Sequence, residues 1–477
     1  MDKKRTKIVA TISDKRSEPE FIQTLYDAGM DVIRINTAHQ DIESTMRVIN
    51  NVRKVSDKIP FLLDTKGPEI RTTICDGEVK LEKGQLIKIV GEPNVPSISS
   101  CISVNYEFFA RDVPLGSSIL IDDGDLELSV KEKDGNTLIC EVMNDAELGS
   151  RKSVNVPNVR INLPSLSKKD RDYIQFAIEN DIDFIAHSFV RSSRDVLDIQ
   201  DILDKHNSNI KIIAKIENQE GVDNLDEILE HAYGIMVARG DLAIEIPYER
   251  IPAIQRKIIN KCIKKRKPVI VATQMLHSMI KNPRPTRAEV SDIANAIYSQ
   301  TDAIMLSGET AYGKYPVESV NIMTRVAREV EKNKIKFLEL PSGNLTGEVS
   351  AYLSKVAVKT ASRVGAKCIV CDTVRGRTIR NMSSFRGINH VMAQCYSART
   401  MRELALSYGV YASLQEKHKS SDMFLKVALA DLIANHKIND NDMIVVLAGN
   451  FSRGSGSSYI EVGSVEFLKE RASGSTE

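Results

Sequence analysis

Eight short apolar runs, each followed by polar or glycine-bearing residues and then a helical pattern, set the tightest limit on the fold of this chain. They lie at residues 7–12, 31–35, 60–63, 184–189, 211–216, 234–238, 269–272 and 303–306. Most are rich in Val and Ile. Runs that are apolar on both faces suit strands covered by helices on both sides. Their alternation with helices gives βα units. Eight such units favour a closed (β/α)8 or TIM barrel; the rhythm by itself leaves an open, doubly wound sheet as the alternative. Some helix starts are legible. Thr286-Arg-Ala-Glu289, behind Pro285, reads as a capping box, and Ser167-x-x-Asp170 resembles a second.

The texture changes between the third and fourth runs. From about residue 67 to 162, Ile119/Ile121, Leu126/Leu128/Val130 and Leu138/Cys140/Val142 alternate with period two, and Asp134-Gly135-Asn136 signals a hairpin. This predicts an inserted all-β domain. An insertion between a barrel strand and its helix sits at the top face, where active sites lie, so it reads as a lid. After a turn-rich stretch at 340–345, strands at 367–371, 391–395, 443–447 and 459–462 alternate with helices, which predicts a smaller C-terminal α/β domain. The expected organisation is a barrel from 1–66 and 163–335, an inserted β-barrel lid from 67–162, and an α/β domain from 347–477. A length of 477 residues agrees with about three domains.

Lys and Arg number 65 against 64 Asp and Glu, a net charge of +1, so no nucleic-acid partner is expected. No apolar run approaches the ~20 residues of a membrane span, so no membrane partner is expected either. The basic start leads only into Ile8-Val9-Ala10, which is no signal-peptide core, and a cytoplasmic location is the default expectation. Seven cysteines spread along a long chain fit reduced thiols. Cys368-x-x-Cys371 reads as strand thiols, since no second ligand pair stands nearby.

Polar residues gather at the C-terminal ends of the runs. Run five ends Lys215-Ile-Glu217, with Lys215 and Glu217 on one face. A buried lysine beside a carboxylate is either a structural ion pair or part of a site. Run six ends Arg239-Gly240-Asp241, and Glu217 with Asp241 would suit Mg²⁺, which is held by two carboxylates plus waters and substrate oxygens. Arg34 and Asn36 share a face at the end of run two, a pairing suited to phosphate. Asp64-Thr65-Lys66 follows run three, Thr273 run seven and Ser307 run eight. Singly, a Ser or Thr here is most often a cap. Collectively they point to a site for a phosphorylated anion.

The chain resembles the pyruvate kinase family over nearly its whole length. The matching strings are Asp64-Thr-Lys-Gly-Pro-Glu-Ile-Arg-Thr72, Lys215-Ile-Glu-Asn218, Gly234-Ile-Met-Val-Ala-Arg-Gly-Asp-Leu242, Ala272-Thr-Gln-Met275, Pro283-Arg-Pro-Thr-Arg-Ala-Glu289 and Ile304-Met-Leu-Ser-Gly-Glu-Thr-Ala311. The resemblance implies transfer of the phosphoryl group of phosphoenolpyruvate to ADP, giving pyruvate and ATP. By similarity, Arg34 clamps the phosphate and Lys215 stabilises the transfer and the enolate. Glu217 and Asp241 hold Mg²⁺. Gly240, Asp241 and Thr273 take the substrate carboxylate. Thr273 and Ser307 belong to a hydroxyl and water relay toward the enolate, which must be protonated, and the source of that proton stays open. Arg71 and His39, with Lys152 and Asp123 from the lid, meet the nucleotide. Asn36, Asp64 and the Thr65 carbonyl match ligands of a K⁺ ion, and Glu69, Lys66 and Thr72 resemble the K⁺-dependent branch.

Two departures stand out. The family commonly reads Asn-Phe-Ser-His-Gly where this chain has Asn36-Thr-Ala-His-Gln40, so a hydroxyl that helps hold K⁺ is absent at Ala38. The expectation is a K⁺ site with a water in that place and weaker affinity. In the C-terminal domain, Thr373, Arg375, Gly376, Arg377 and Thr378, with Arg453 in a glycine-rich loop, match the family's site for a phosphorylated allosteric effector, but Arg375 stands where Ser is usual. A homotetramer is also implied. A phosphoenolpyruvate mutase or lyase on a similar barrel would not need the lid or Arg71. A catalytically silent relative would be expected to lose Lys215, Glu217, Asp241 or Thr273, and none is lost.

Overall fold

The structure, a computed structural model, describes residues 3–77, 79–333, 349–418, 420–450 and 455–474. The stretch at 340–345 and Arg453 lie outside the described residues. All eight apolar runs are strands: β1 Lys7–Thr11, β2 Val32–Asn36 and β3 Phe61–Asp64, then, beyond the insertion, β12 Phe184–His187, β13 Lys211–Ile216, β14 Gly234–Ala238, β15 Val269–Ala272 and β16 Ala303–Leu306. They close in the order β1-β16-β15-β14-β13-β12-β3-β2, and every pairing is parallel. The open sheet is thereby excluded. Alternate side chains fill the interior: Val9, Val32, Leu62, Phe184, Ile213, Met236, Ile270 and Met305 form one buried cluster, to which the C-terminal region adds Leu406. The outward residues of the same strands pack under the helices, as both-face burial requires. Both expected capping boxes are present, at Thr286/Glu289 and Ser167/Asp170.

The insertion contains β4 Val79–Leu81, β5 Leu86–Val90, β6 Cys101–Ser103, β7 Ser118–Ile121, β8 Leu126–Asp134, β9 Thr137–Val142, β10 Ala146–Leu148 and β11 Val154–Asn155. Six of them form a sheet in the order β11-β7-β8-β9-β5-β6 over a core of their own. Asp134 pairs with Thr137 across Gly135, which takes a φ of +56°, the turn that the sequence signals. The chain leaves the barrel through Gly67 at φ +73°. A Cβ there would lie 2.8 Å from both Ser188 Cβ and the Phe189 ring, so the hinge admits only glycine. Asp170 accepts the Lys66 and Gly67 amides from its capping box and ties hinge to helix.

The C-terminal region is a five-stranded sheet, β19-β18-β17-β20-β21, made of β17 Cys368–Thr373, β18 His390–Cys395, β19 Val410–Leu414, β20 Met443–Asn450 and β21 Ser455–Ser464. Only the β20–β21 pair is antiparallel. Strand β19 has a half-exposed face and little apolar contrast, and the sequence pattern does not reveal it. The seven cysteines are free thiols, and burial pushes Cys368 up to about 12 and Cys371 well above the usual range, so both are inert strand residues. This region docks on the floor of the barrel. Arg386, with 2% of its side chain exposed, makes a two-pronged pair with Asp302 at 2.7 and 2.6 Å. Arg402 meets Asp183 at 2.6 Å and Asp181 at 2.5 Å. No helix among the described residues is long and apolar enough to cross a membrane.

Candidate active site

Parallel pairing brings the strand ends level. Register places Asn36 beside Asp64, Lys215 beside Met236 and Ala238 beside Ala272, so residues far apart in sequence converge on the top of the barrel. At the centre lies a buried ionic cluster. Arg34 Nε donates to Asp64 Oδ2 at 2.6 Å, and its Nη1 donates to Thr11 Oγ1 at 2.9 Å. Lys215 Nζ lies 3.1 Å from Asp64 Oδ1 and 2.9 Å from Glu217 Oε1, and donates to Ser188 Oγ at 2.6 Å. Glu217 Oε2 also accepts the Phe189 amide at 2.6 Å.

The charges of this cluster do not cancel. Two cations, Arg34 and Lys215, face three carboxylates, Asp64, Glu217 and Asp241. Burial opposes the charge on Lys215, but Asp64, Glu217 and Asp241 outweigh it and hold the ammonium above its ordinary range. Burial likewise opposes the charge on Asp64, yet Lys215 and Arg34 hold it below the usual carboxylate range. Glu217 goes the other way. Burial raises it, Lys215 only partly offsets that, and the nearby Asp241 raises it further. Glu217 shares its lysine with Asp64, and that sharing separates the two acids. With all three acids ionised the cluster carries one negative charge in excess, and burial beside Asp241 leaves Glu217 the acid that most readily takes a proton in place of a cation.

Among the described residues no group of three or more His, Cys, Asp or Glu side chains is arranged to hold a metal. A complete protein cage is absent there. Two adjacent carboxylates with surplus charge do suit Mg²⁺, which takes one or two carboxylates and completes its shell with water and substrate oxygens. The oxygens expected at K⁺ also lie near one another, but they have partners. Asp64 is shared by Arg34 and Lys215, the Thr65 carbonyl accepts Ser188 Oγ at 2.7 Å, and Asn36 Oδ1 accepts the Ala38 amide at 3.1 Å. Thr37 is buried and donates its hydroxyl to the Asp64 carbonyl at 2.8 Å, so it does not stand in for the hydroxyl absent at Ala38.

On the far wall Thr273 directly follows β15. Its hydroxyl accepts the Gly240 amide at 2.7 Å and donates to the Ala272 carbonyl at 2.7 Å. Gly240, expected to offer its amide to a substrate carboxylate, thus gives it to Thr273 here. Ser307 donates its amide to Glu309 Oε2 at 2.8 Å, and Glu309 Oε1 accepts the Leu276 amide at 3.0 Å. One buried carboxylate so ties the loops after β15 and β16 together. Toward the lid, Arg71 is held by Glu69 at 2.8 Å and by the Arg151 carbonyl at 2.7 Å. Lys152 pairs with Asp122 at 2.6 Å, while Asp123 accepts from Ser153 Oγ at 2.9 Å. His39 is exposed on the loop after β2. A cleft of about 630 Å³ opens between lid and barrel, lined by Glu69, Asp123, Asn155, Phe189, Asp241 and Glu245 among others.

Sequence reasoning missed Ser188 and Thr11, and met Asp122 and Glu309 only inside longer strings, with no role of their own. Ser188 falls inside the run read as 184–189, but the strand stops at His187, and Phe189 turns to φ +56° to give its amide to Glu217. Far from the barrel mouth, Thr373 Oγ1 accepts the Gly376 amide at 2.9 Å and Thr378 Oγ1 lies 3.3 Å from Ser350 Oγ; Arg375 and Arg377 are exposed.

Family models agree with this architecture. Residues 3–320 match the pyruvate kinase barrel domain, and residues 352–461 match the pyruvate kinase alpha/beta domain. A pyruvate kinase of Borreliella burgdorferi is 48% identical over 98% of this chain and 98% of its own length. One from Staphylococcus epidermidis is 44% identical over 94% of this chain and 78% of its own length. A crystal structure of a pyruvate kinase from Cryptosporidium parvum superposes with a TM-score of 0.90 at 36% identity, covering 97% of this chain and 96% of that one.

Proposed function

The chain belongs to the pyruvate kinase family, a family of phosphotransferases, and from that premise we propose that it transfers the phosphoryl group of phosphoenolpyruvate to ADP, yielding pyruvate and ATP. The observation that carries this reading is the buried Arg34–Asp64–Lys215–Glu217 cluster with Asp241 beside it. Phosphoryl transfer needs positioning and charge neutralisation rather than covalent help.

Each residue then has a task. Arg34, steered by Asp64 and Thr11, directs its guanidinium at the phosphoryl group. Lys215 keeps its proton because three carboxylates face it, and so presents a fixed positive charge to the transferring group and to the enolate that remains. Glu217 and Asp241 would hold Mg²⁺, which when bound supplies Lewis-acid polarisation of substrate oxygens. Gly240, Asp241 and Thr273 receive the substrate carboxylate. Thr273 and Ser307 join a hydroxyl and water relay to the enolate carbon, since neither hydroxyl is acidic enough alone. Arg71, His39, Lys152 and Asp123 receive ADP, and lid closure would exchange the Lys152–Asp122 pair for nucleotide phosphates. Asn36, Asp64 and Thr65 would hold K⁺, weakly because of Ala38.

The remaining expectations are part of the same proposal. The functional units are the barrel of 1–66 and 163–335, the lid of 67–162 and a regulatory domain of 347–477, in a cytoplasmic homotetramer. Thr373, Arg375, Gly376, Arg377 and Thr378, with Arg453, would bind a phosphorylated effector. The test is pyruvate release from phosphoenolpyruvate with ADP, Mg²⁺ and K⁺, read through a coupled dehydrogenase. ADP-dependent pyruvate formation is expected; its absence from folded protein would overturn the reading.

A further inference from the structure

Thr273 and Gln274 leave the end of β15 with φ of +67° and +55°. Backbone outliers of this kind are strained and persist only when their surroundings hold them, and a β-branched residue is rare at positive φ. Two in succession need restraint from outside. The Thr273 hydroxyl is engaged with Gly240 and with its own preceding carbonyl, which leaves the backbone carbonyls to be held. Arg239 holds them. Its Nη2 donates to the Thr273 carbonyl at 2.7 Å and its Nε to the Ala272 carbonyl at 3.3 Å. Its Nη1 meets the Asp292 carboxylate at 2.7 and 2.8 Å and lies 3.5 Å from Gln255 Oε1. Only 11% of the side chain is exposed.

An arginine at the top of a barrel strand, next to a substrate pocket, invites a role as a phosphate ligand. Here the fork is instead spent on two carbonyls and on a carboxylate of the helix Arg287–Tyr298. Arg239 also directly precedes Gly240. Its side chain grips the Ala272 and Thr273 carbonyls while the next amide grips the Thr273 hydroxyl, so one turn after β14 fixes the threonine at both ends. Resting on the role given above to Thr273, the geometry points to Arg239, anchored by Asp292, as a positioning residue that keeps Thr273 in its left-handed conformation and its hydroxyl in the site.

Lysine cannot replace this fork, since one ammonium reaches one carbonyl well and not both. The test is a double-mutant cycle on kcat with phosphoenolpyruvate. Arg239→Gln is expected to lower kcat about 10- to 100-fold with the KM for ADP within about two-fold, and Arg239→Lys to recover only part of the loss. In a Thr273→Ala background, Arg239→Gln is expected to cost no more than about three-fold further. Equal losses in both backgrounds, or no loss in the first, would overturn the positioning role. Thr273→Ala turning over like the wild type would instead remove the role of Thr273 itself, and this inference with it. Should Arg239→Gln fail to fold by circular dichroism, Asp292→Asn keeps the arginine and loosens its anchor. It is expected to lower kcat about three- to ten-fold in the wild-type background only, and an undiminished kcat would overturn the proposal.

Discussion

An aspartate stands immediately before three strands at the floor of the barrel: Asp31 before β2, Asp183 before β12 and Asp302 before β16. Each accepts an amide of the neighbouring strand, from Ile8 at 2.8 Å, Phe61 at 3.0 Å and Val269 at 3.1 Å. Each also meets cations: Lys4 and Lys7 at Asp31, Arg402 at Asp183, and Arg386 at Asp302. Asp302 takes the Tyr408 amide as well. The mouth of the barrel uses the same residue types. There Asp64 is doubly paired, but Glu217 and Asp241 share too little positive charge and Glu217 is pushed up. At the floor each aspartate has a cation of the chain against it, although burial still pushes Asp183 up past the pull of Arg402; at the mouth three carboxylates share two cations, a balance that the proposed metal would complete. Buried ion pairs at one end hold domains together; at the other they are unfinished by design of the strand ends.

The largest effect should come from breaking the mouth. Lys215→Met is expected to lower turnover by about three orders of magnitude or more, since it removes the fixed charge at the reacting group. Its thermal stability should change little, because Arg34 still pairs with Asp64 and Glu217 can take up a proton. Near-normal turnover by the purified variant would sink the role given to Lys215.

Breaking the floor should do the reverse. Arg386→Met strands a buried Asp302 and is expected to lose about 3–5 kcal/mol of stability in denaturant unfolding. Turnover per folded molecule should stay within about two-fold, as the sites are far apart. A variant as stable as the wild type but catalytically dead would invert the comparison.

A smaller effect comes with pH. Burial lowers the buried His390 to about 4, while its ring nitrogen lies 2.9 Å from the Lys3 carbonyl. Lys3, Arg5, Lys7 and Tyr411 surround it. The unfolded chain therefore takes the proton first as pH falls below about 6.5, and stability is lost from there down to about pH 4, by at most about 3 kcal/mol. His390→Gln should flatten the urea midpoint over that window; an unchanged pH dependence would show that the floor titrates elsewhere. The smallest effect belongs to the K⁺ proposed beside Asp64. Ala38→Ser should lower the half-saturating K⁺ concentration about three- to ten-fold, the worth of one added oxygen ligand. Equal activity in K⁺-free and K⁺-saturated buffer would refute K⁺ dependence altogether.

Much of the mouth was legible because strands buried on both faces read as apolar runs, and polar residues at their ends stand out against them. Arg34, Lys215, Glu217 and Thr273 were found in this way. Ser188 was not, since a short polar residue inside His187-Ser-Phe189 looks like strand continuation until the Phe189 amide is seen to turn toward Glu217. The floor was less legible. Asp183 and Asp302 precede their strands, where an acid looks like an ordinary loop residue, Asp31 reads as the first residue of its own run, and their cationic partners lie up to 219 residues away in sequence. The role of Arg239 was hidden for a similar reason: two of its acceptors are backbone carbonyls, which carry no residue signature, and its anchor Asp292 lies 53 residues away.

The central claim, that the unfinished charges at the mouth move a phosphoryl group between two substrates, is tested most directly by ³¹P NMR. Wild-type protein with phosphoenolpyruvate, ADP, Mg²⁺ and K⁺ should replace the phosphoenolpyruvate resonance by those of ATP, while Lys215→Met leaves it standing. Conversion to inorganic phosphate alone, or equal conversion by the variant, would contradict the account.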